Sequence, residues 1–195
     1  MNTRSAAILM LCVPLAAPAS AGLLYNEFLQ GDLSNNRFEP TAFTLTPGSN
    51  ELFGVISGDN PDGSFDRDYF SFTVPAGFQL SSITLTGWAS DDFAAFGGIQ
   101  PGPVFPNDPE TVQPDDLLGW MLFGPQDLNV DLLPIMGSNG MGFTPPLPAG
   151  TYSFWVQQIG PYTEYGWDVV VDVPSPGASA LLLATGLAVA RRRRS

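Results

Sequence analysis

Asp59, Asp62, Asp66 and Asp68 fall within ten consecutive residues, around an Asn60-Pro61-Asp62-Gly63 turn. Carboxylate oxygens are hard donors that suit Ca²⁺, so this stretch is the expected metal site of the chain. Its spacing differs from an EF-hand loop, where ligands fall at alternate positions with Gly at the sixth. The competing reading is a solvated acidic turn in which Asp59 and Asp62 serve turn geometry. Asp91-Asp92 and Asp115-Asp116 offer the same chemistry with fewer groups.

Other chemistries lack their parts. The chain has no histidine and no lysine, and its one cysteine is Cys12. Nucleophilic catalysis by Ser-His or Cys-His pairs is therefore unavailable, as are zinc sites. Paired carboxylates could support glycoside hydrolysis, but no pair among the 19 Asp and Glu stands out by spacing. The catalytic set is accordingly expected to be empty. Trp88, Trp120, Trp155 and Trp167 could stack on sugar rings or pack a core. Trp167 shares the apolar face of its segment, whereas Trp155 lies opposite Phe154 and is expected to point outward.

These residues sit in an acidic, β-patterned segment. Residues 22–172 hold all 19 acids against Arg37 and Arg67 alone, a net charge of −17. Such a surface repels nucleic acid and anionic lipid and favours cations or solubility outside a cell. An aromatic content of 12% argues against disorder despite the charge. Within residues 22–172 no stretch free of Gly and Pro exceeds 11 residues, so long helices are not expected there.

Strand signals recur instead. Residues 42–46 and 52–57 flank Pro47-Gly48-Ser49-Asn50, which reads as a hairpin turn. Residues 68–74 alternate, with Phe70, Phe72 and Val74 on one side. Pro75-Ala76-Gly77 then reads as a turn into residues 78–88. Residues 89–141 are broken by prolines, with apolar pieces at 117–123 and 128–136 expected as edge strands or loop anchors. Tyr152, Phe154 and Val156 share one face, as do Tyr165, Trp167, Val169 and Val171. Two-period strands with one apolar face need a second sheet to cover them, so the expected fold is an all-β antiparallel sandwich.

The ends read differently. Residues 1–21 have the form of a secretory signal peptide: Arg4, an apolar core, and Ala19-Ser20-Ala21 as the cleavage site. Cys12 would leave with it, so no disulfide is expected in the mature domain, residues 22–172. Residues 173–195 comprise Val173-Pro174-Ser175-Pro176-Gly177, a short apolar stretch and Arg191-Arg192-Arg193-Arg194. Residues 178–190 span only about 20 Å as a helix, short of the roughly 30 Å of a hydrocarbon core. The arginines would remain in the cytoplasm.

This three-part tail resembles the PEP-CTERM sorting signal of Gram-negative bacteria, with Ser175 where that family has Glu. The resemblance implies a transmembrane helix in transit, processing by an exosortase-type peptidase, and release to the cell surface or an exopolysaccharide-rich matrix. Asp66-Arg67-Asp68-Tyr69-Phe70-Ser71-Phe72, Val74-Pro75-Ala76-Gly77 and Leu147-Pro148-Ala149-Gly150-Thr151-Tyr152 resemble bacterial pre-peptidase C-terminal (PPC-like) domains. That resemblance implies a secreted, jelly-roll-like β-sandwich that is usually non-catalytic. The expected function is an exported, non-catalytic surface or matrix protein, with calcium or polysaccharide as the ligands its surface would suit. The alternative is a small envelope hydrolase using carboxylates.

Overall fold

The structure, a computed structural model of the full chain, describes residues 22–58, 60, 63–160 and 162–174. The signal segment, Asp59, Asp62, Ser175, Pro176, Gly177 and the four terminal arginines lie outside the described residues. Among the described residues no helix is long and apolar enough to cross a membrane.

The fold is all-β. Its strands are β1 (Gly22–Asn26), β2 (Thr41–Thr44), β3 (Gly48–Ile56), β4 (Arg67–Ser90), β5 (Ala95–Pro101), β6 (Gly119–Phe123), β7 (Leu147–Gln157) and β8 (Thr163–Asp172). Short helices α1 (Glu27–Gln30) and α2 (Leu133–Gly137) lie between them. The strands join in the order β1-β3-β8-β4-β7-β5-β6, with β2 on β4. Most pairs are antiparallel, but β1 runs parallel to β3 and β2 parallel to β4. The expectation of a wholly antiparallel sheet is corrected on that point. Alternation tells which face of a strand is buried, not which way its partner runs.

The 24-residue β4 organises the sheet. Its first half pairs with β7 and its second half with β8, so one strand belongs to both ladders. The turn expected at Pro75-Ala76-Gly77 is a bulge instead. Val74 pairs with Gly150 and Gln79 with Pro148, leaving residues 75–78 opposite Ala149 alone. Pro75 has no N–H to donate, and Gly77 sits at φ +85°, so the ladder breaks there without reversing the chain.

The expected hairpin at residues 47–50 is also absent. β2 pairs with β4, and β3 pairs with β8 and β1. Gly48, Ser49 and Asn50 already belong to β3. The buried Asn50 side chain accepts from the Thr46 N–H at 2.9 Å and donates to the Val169 carbonyl at 3.1 Å. It therefore fixes this entry loop against β8.

The core forms where the bent sheet faces itself. Phe70 stacks on its ladder partner Phe154 with ring centres 5.4 Å apart. It also meets the edge of Trp167 at 5.6 Å, although Trp167 pairs in register with Leu52 and Leu85. That contact therefore crosses the core. Leu52, Ile56, Ile83, Leu85, Val156 and Val169 are fully enclosed around it. Each such side chain contributes roughly 1.5–3 kcal/mol of burial.

Trp155 corrects a further expectation. It faces away from Phe154, yet it is only 5% exposed, packed with Tyr69, Phe105 and Leu117 in a second apolar cluster. The proline-broken segment after β5 supplies Phe105 and Leu117 and covers that face. The apolar piece at residues 117–123 includes β6, which ends the sheet, and the piece at 128–136 runs into α2.

Candidate metal centre

β1 ends at Asn26, whose side-chain oxygen caps α1 by accepting from the Phe28 N–H at 3.0 Å. The single helical turn swings Glu27 inward. Gly31, at φ +99°, ends the turn and releases the chain toward Asp32 and the buried Leu33. Glu27 accepts hydrogen bonds from the backbone N–H of Leu33 and of Val55 on β3. The residue thereby pins the loop to the sheet.

Asp68 approaches from β4, fully buried. One carboxylate oxygen accepts from the Tyr165 hydroxyl of β8 at 2.6 Å, and Oδ1 has no partner. Among the described residues the other partnerless buried side-chain atoms are the Ser81 hydroxyl and three tryptophan nitrogens. Asp68 is the one acid in that group.

Glu27, Asp32 and Asp68 each offer one oxygen within 4.8 Å of the others. Two oxygens bound to one calcium at about 2.4 Å can be no further apart than about 4.8 Å, so the three fit a single ion. Asn35 completes the rim. Its amide donates to Asp32 and to Asp66, both at 3.2 Å, and its oxygen accepts from the Arg67 N–H at 2.6 Å. A cavity of ≈ 250 Å³ lined by Glu27, Asp32, Val55, Asp66 and Tyr162 opens beside the cluster.

The electrostatics follow from crowding. Burial, with smaller contributions from Asp32 and Asp66, raises the Glu27 carboxyl to about 7, against the two backbone N–H groups that favour its charged form. Burial and then Glu27 push Asp68 well above the usual carboxylate range, with the Tyr165 hydrogen bond opposing. Asp66 is raised by burial and by Asp32. Tyr165, buried beside Asp68, keeps its proton. Buried carboxylates with raised affinity for protons and no basic neighbour form a site for a proton or a hard cation.

Of the four aspartates expected as ligands, Asp68 is in the cluster and Asp66 lines its mouth. Asp59 and Asp62 lie outside the described residues. Glu27 and Asp32 were not anticipated, since they precede Asp68 by 41 and 36 positions and meet it through long-range pairings, β1 on β3 and Ser34 on Tyr69 of β4. No spacing rule links them. Asp92, Asp115 and Asp131 bond elsewhere: Asp92 accepts from the Phe93 N–H, Asp115 from the Trp120 indole N–H, and Asp131 Oδ1 from the Leu133 N–H and the Ile83 N–H of β4. Comparison with family models finds no match for this chain, and comparison with curated proteins finds none either.

Proposed function

We propose that this chain is an exported, non-catalytic surface or matrix protein whose β-sandwich, jelly-roll-like and similar to PPC-like domains, binds calcium. The observation that carries the reading is the convergence of Glu27, Asp32 and Asp68 within one ion's reach, with one buried Asp68 oxygen left unpartnered. Zinc is disfavoured because the cluster contains neither nitrogen nor sulfur ligands. The carboxylate-hydrolase alternative needs two acids that reach a substrate. Asp68 is fully enclosed, and Glu27 already faces two backbone donors, which favours ion binding over catalysis.

Export rests on the two ends of the sequence: the signal-like residues 1–21 and the PEP-CTERM-like tail from Val173 to Arg194. In this reading the chain pauses in the inner membrane and is released to the envelope surface or matrix by an exosortase-type peptidase cutting near Val173-Pro174-Ser175-Pro176-Gly177. Mass spectrometry of secreted protein from the native host should find no peptides from residues 178–195. Their presence in fully released material would sink the sorting proposal.

Calcium is tested on the purified domain after chelation. With extracellular-type affinity of ~10⁻⁴–10⁻³ M, about 10 mM calcium adds ~1.4–2.7 kcal/mol and raises the melting midpoint by ~3–10 °C. Asp32→Asn, exposed and outside the core, should lose most of that increment while folding normally. An unchanged wild-type midpoint would leave only a buried acidic network.

A further inference from the structure

The two arginines of residues 22–172 lie thirty positions apart, yet both line one cavity of ≈ 330 Å³. Asn35, Asn36, Asp108 and Glu110 line it with them. The cavity shares no carboxylate with the cation cluster. Tyr69, also on its wall, follows Asp68 on β4, and successive strand residues point to opposite faces.

Each polar group is held in place. Arg67 donates to Gln157 at 2.5 Å and pairs with Glu110. The Arg37 guanidinium donates to the Pro106 carbonyl and lies 4.0 Å from the centre of the Phe38 ring. Asp108 accepts from the Glu110 N–H at 3.0 Å, and Asn36 accepts from the Phe38 N–H at 3.0 Å. Burial lifts the Tyr69 phenol to about 12, so it remains protonated.

The chemistry selects among ligands by elimination. Two guanidinium groups balance Asp108 and Glu110, so the pocket carries no net charge to hold a cation or an anion, and the surrounding charge of −17 deters an anion further. What remains is an uncharged molecule dense in hydrogen-bonding groups. Planar guanidinium, carboxamide and carboxylate groups set side by side match pairs of neighbouring hydroxyls, since a guanidinium presents two donors, a carboxylate two acceptors and a carboxamide one of each in a fixed fork. The Phe38 ring, 57% exposed at the rim, offers an apolar face for a sugar's C–H surface. The volume falls in the range of about 300–1,000 Å³ found for small-molecule sites.

We infer that the cavity between Arg37, Arg67, Asp108 and Glu110 is a subsite for one unit of a neutral saccharide. The test is saturation-transfer NMR and calorimetry on the folded domain in excess calcium, with cellobiose, maltose, lactose and mannobiose as neutral probes and glucuronate as the acidic one. At least one neutral disaccharide should bind, and glucuronate should bind more weakly. Arg37→Ala should weaken binding about tenfold, the loss of one charge-assisted hydrogen-bonding group. Asp108→Asn keeps the shape and the turn and should weaken it several-fold with an unchanged melting midpoint. Both variants should keep the calcium increment, so failure here is separable from failure of the ion site. Binding by none of the four neutral sugars, preference for glucuronate, or undiminished binding in both variants would overturn the assignment.

Discussion

Glu27 and Asp68 are both buried and place oxygens within 4.8 Å of each other, and their charges oppose. Without a cation the folded protein relieves that repulsion by holding protons. The Glu27 carboxyl at about 7 in the fold, against an ordinary 4.5, keeps a proton that the unfolded chain has released. Its contribution to stability is therefore complete below about pH 4.5 and is lost as pH rises through about 7; Asp68 acts in the same direction. Calcium competes for the same oxygens, so its effect runs the other way. The calcium increment in melting midpoint should be small near pH 5 and full above about pH 7. An increment as large at pH 5 as at pH 8 would remove these carboxylates from the site. Asp68→Asn keeps an acceptor for Tyr165 and abolishes a buried charge. In chelator this variant should melt at or above the wild-type midpoint, and calcium should no longer raise it. A surviving increment would place the ion elsewhere.

Between the residues and the whole stands the packing of strands at the site. Gly54 on β3 pairs with Tyr165 on β8, and a Cβ there would fall 2.4 Å from the Tyr165 ring and hydroxyl. Gly54→Ala must displace the ring that holds Asp68, at a cost of about 1–3 kcal/mol. Chemical denaturation should show that loss together with a weakened calcium response; a wild-type midpoint would mean that Tyr165 is free to move. The apolar faces around this point are legible in the sequence, because Tyr165, Trp167, Val169 and Val171 alternate with Gly166, Asp168, Val170 and Asp172. Partner choice is not legible. Pro47-Gly48 and Pro75-Ala76-Gly77 carry turn composition, yet the first only leads into β3 and the second bulges within β4. Trp155 shows the same limit: its face was readable, but not the proline-rich segment that covers it. The site suffers most, since Glu27 and Asp32 join Asp68 through the β1–β3 pairing and the Ser34–Tyr69 bridge to β4, which no local pattern encodes.

At the scale of the molecule, charge dominates. Nineteen acids against two arginines within residues 22–172 repel one another in the compact state. Sodium chloride without calcium should therefore raise the melting midpoint as ionic strength shortens the screening length below ~10 Å. A midpoint insensitive to salt would show that the acids are already neutralised locally. The ends of the domain also have a geometry. Gly22 pairs with Asn50, which pairs with Val169, so β1 begins about two strand spacings, roughly 10 Å, from Val169, three residues before the end of β8. Asn26 pairs with Phe53, which pairs with Gly166, six residues before Asp172 and so about 20 Å from it along the strand. The cation cluster thus stands away from the end that leads into the tail.

β8 lies inside the sheet, hydrogen-bonded to β3 along one side and to β4 along the other, and the chain leaves it at Asp172. A pull on the tail would run along the strand, while the ladder bonds lie across it. Two flanking ladders would then be loaded in shear together rather than opened one bond at a time. The domain should resist a force applied at Asp172, yielding at a rate set by its unfolding barrier rather than by its equilibrium stability.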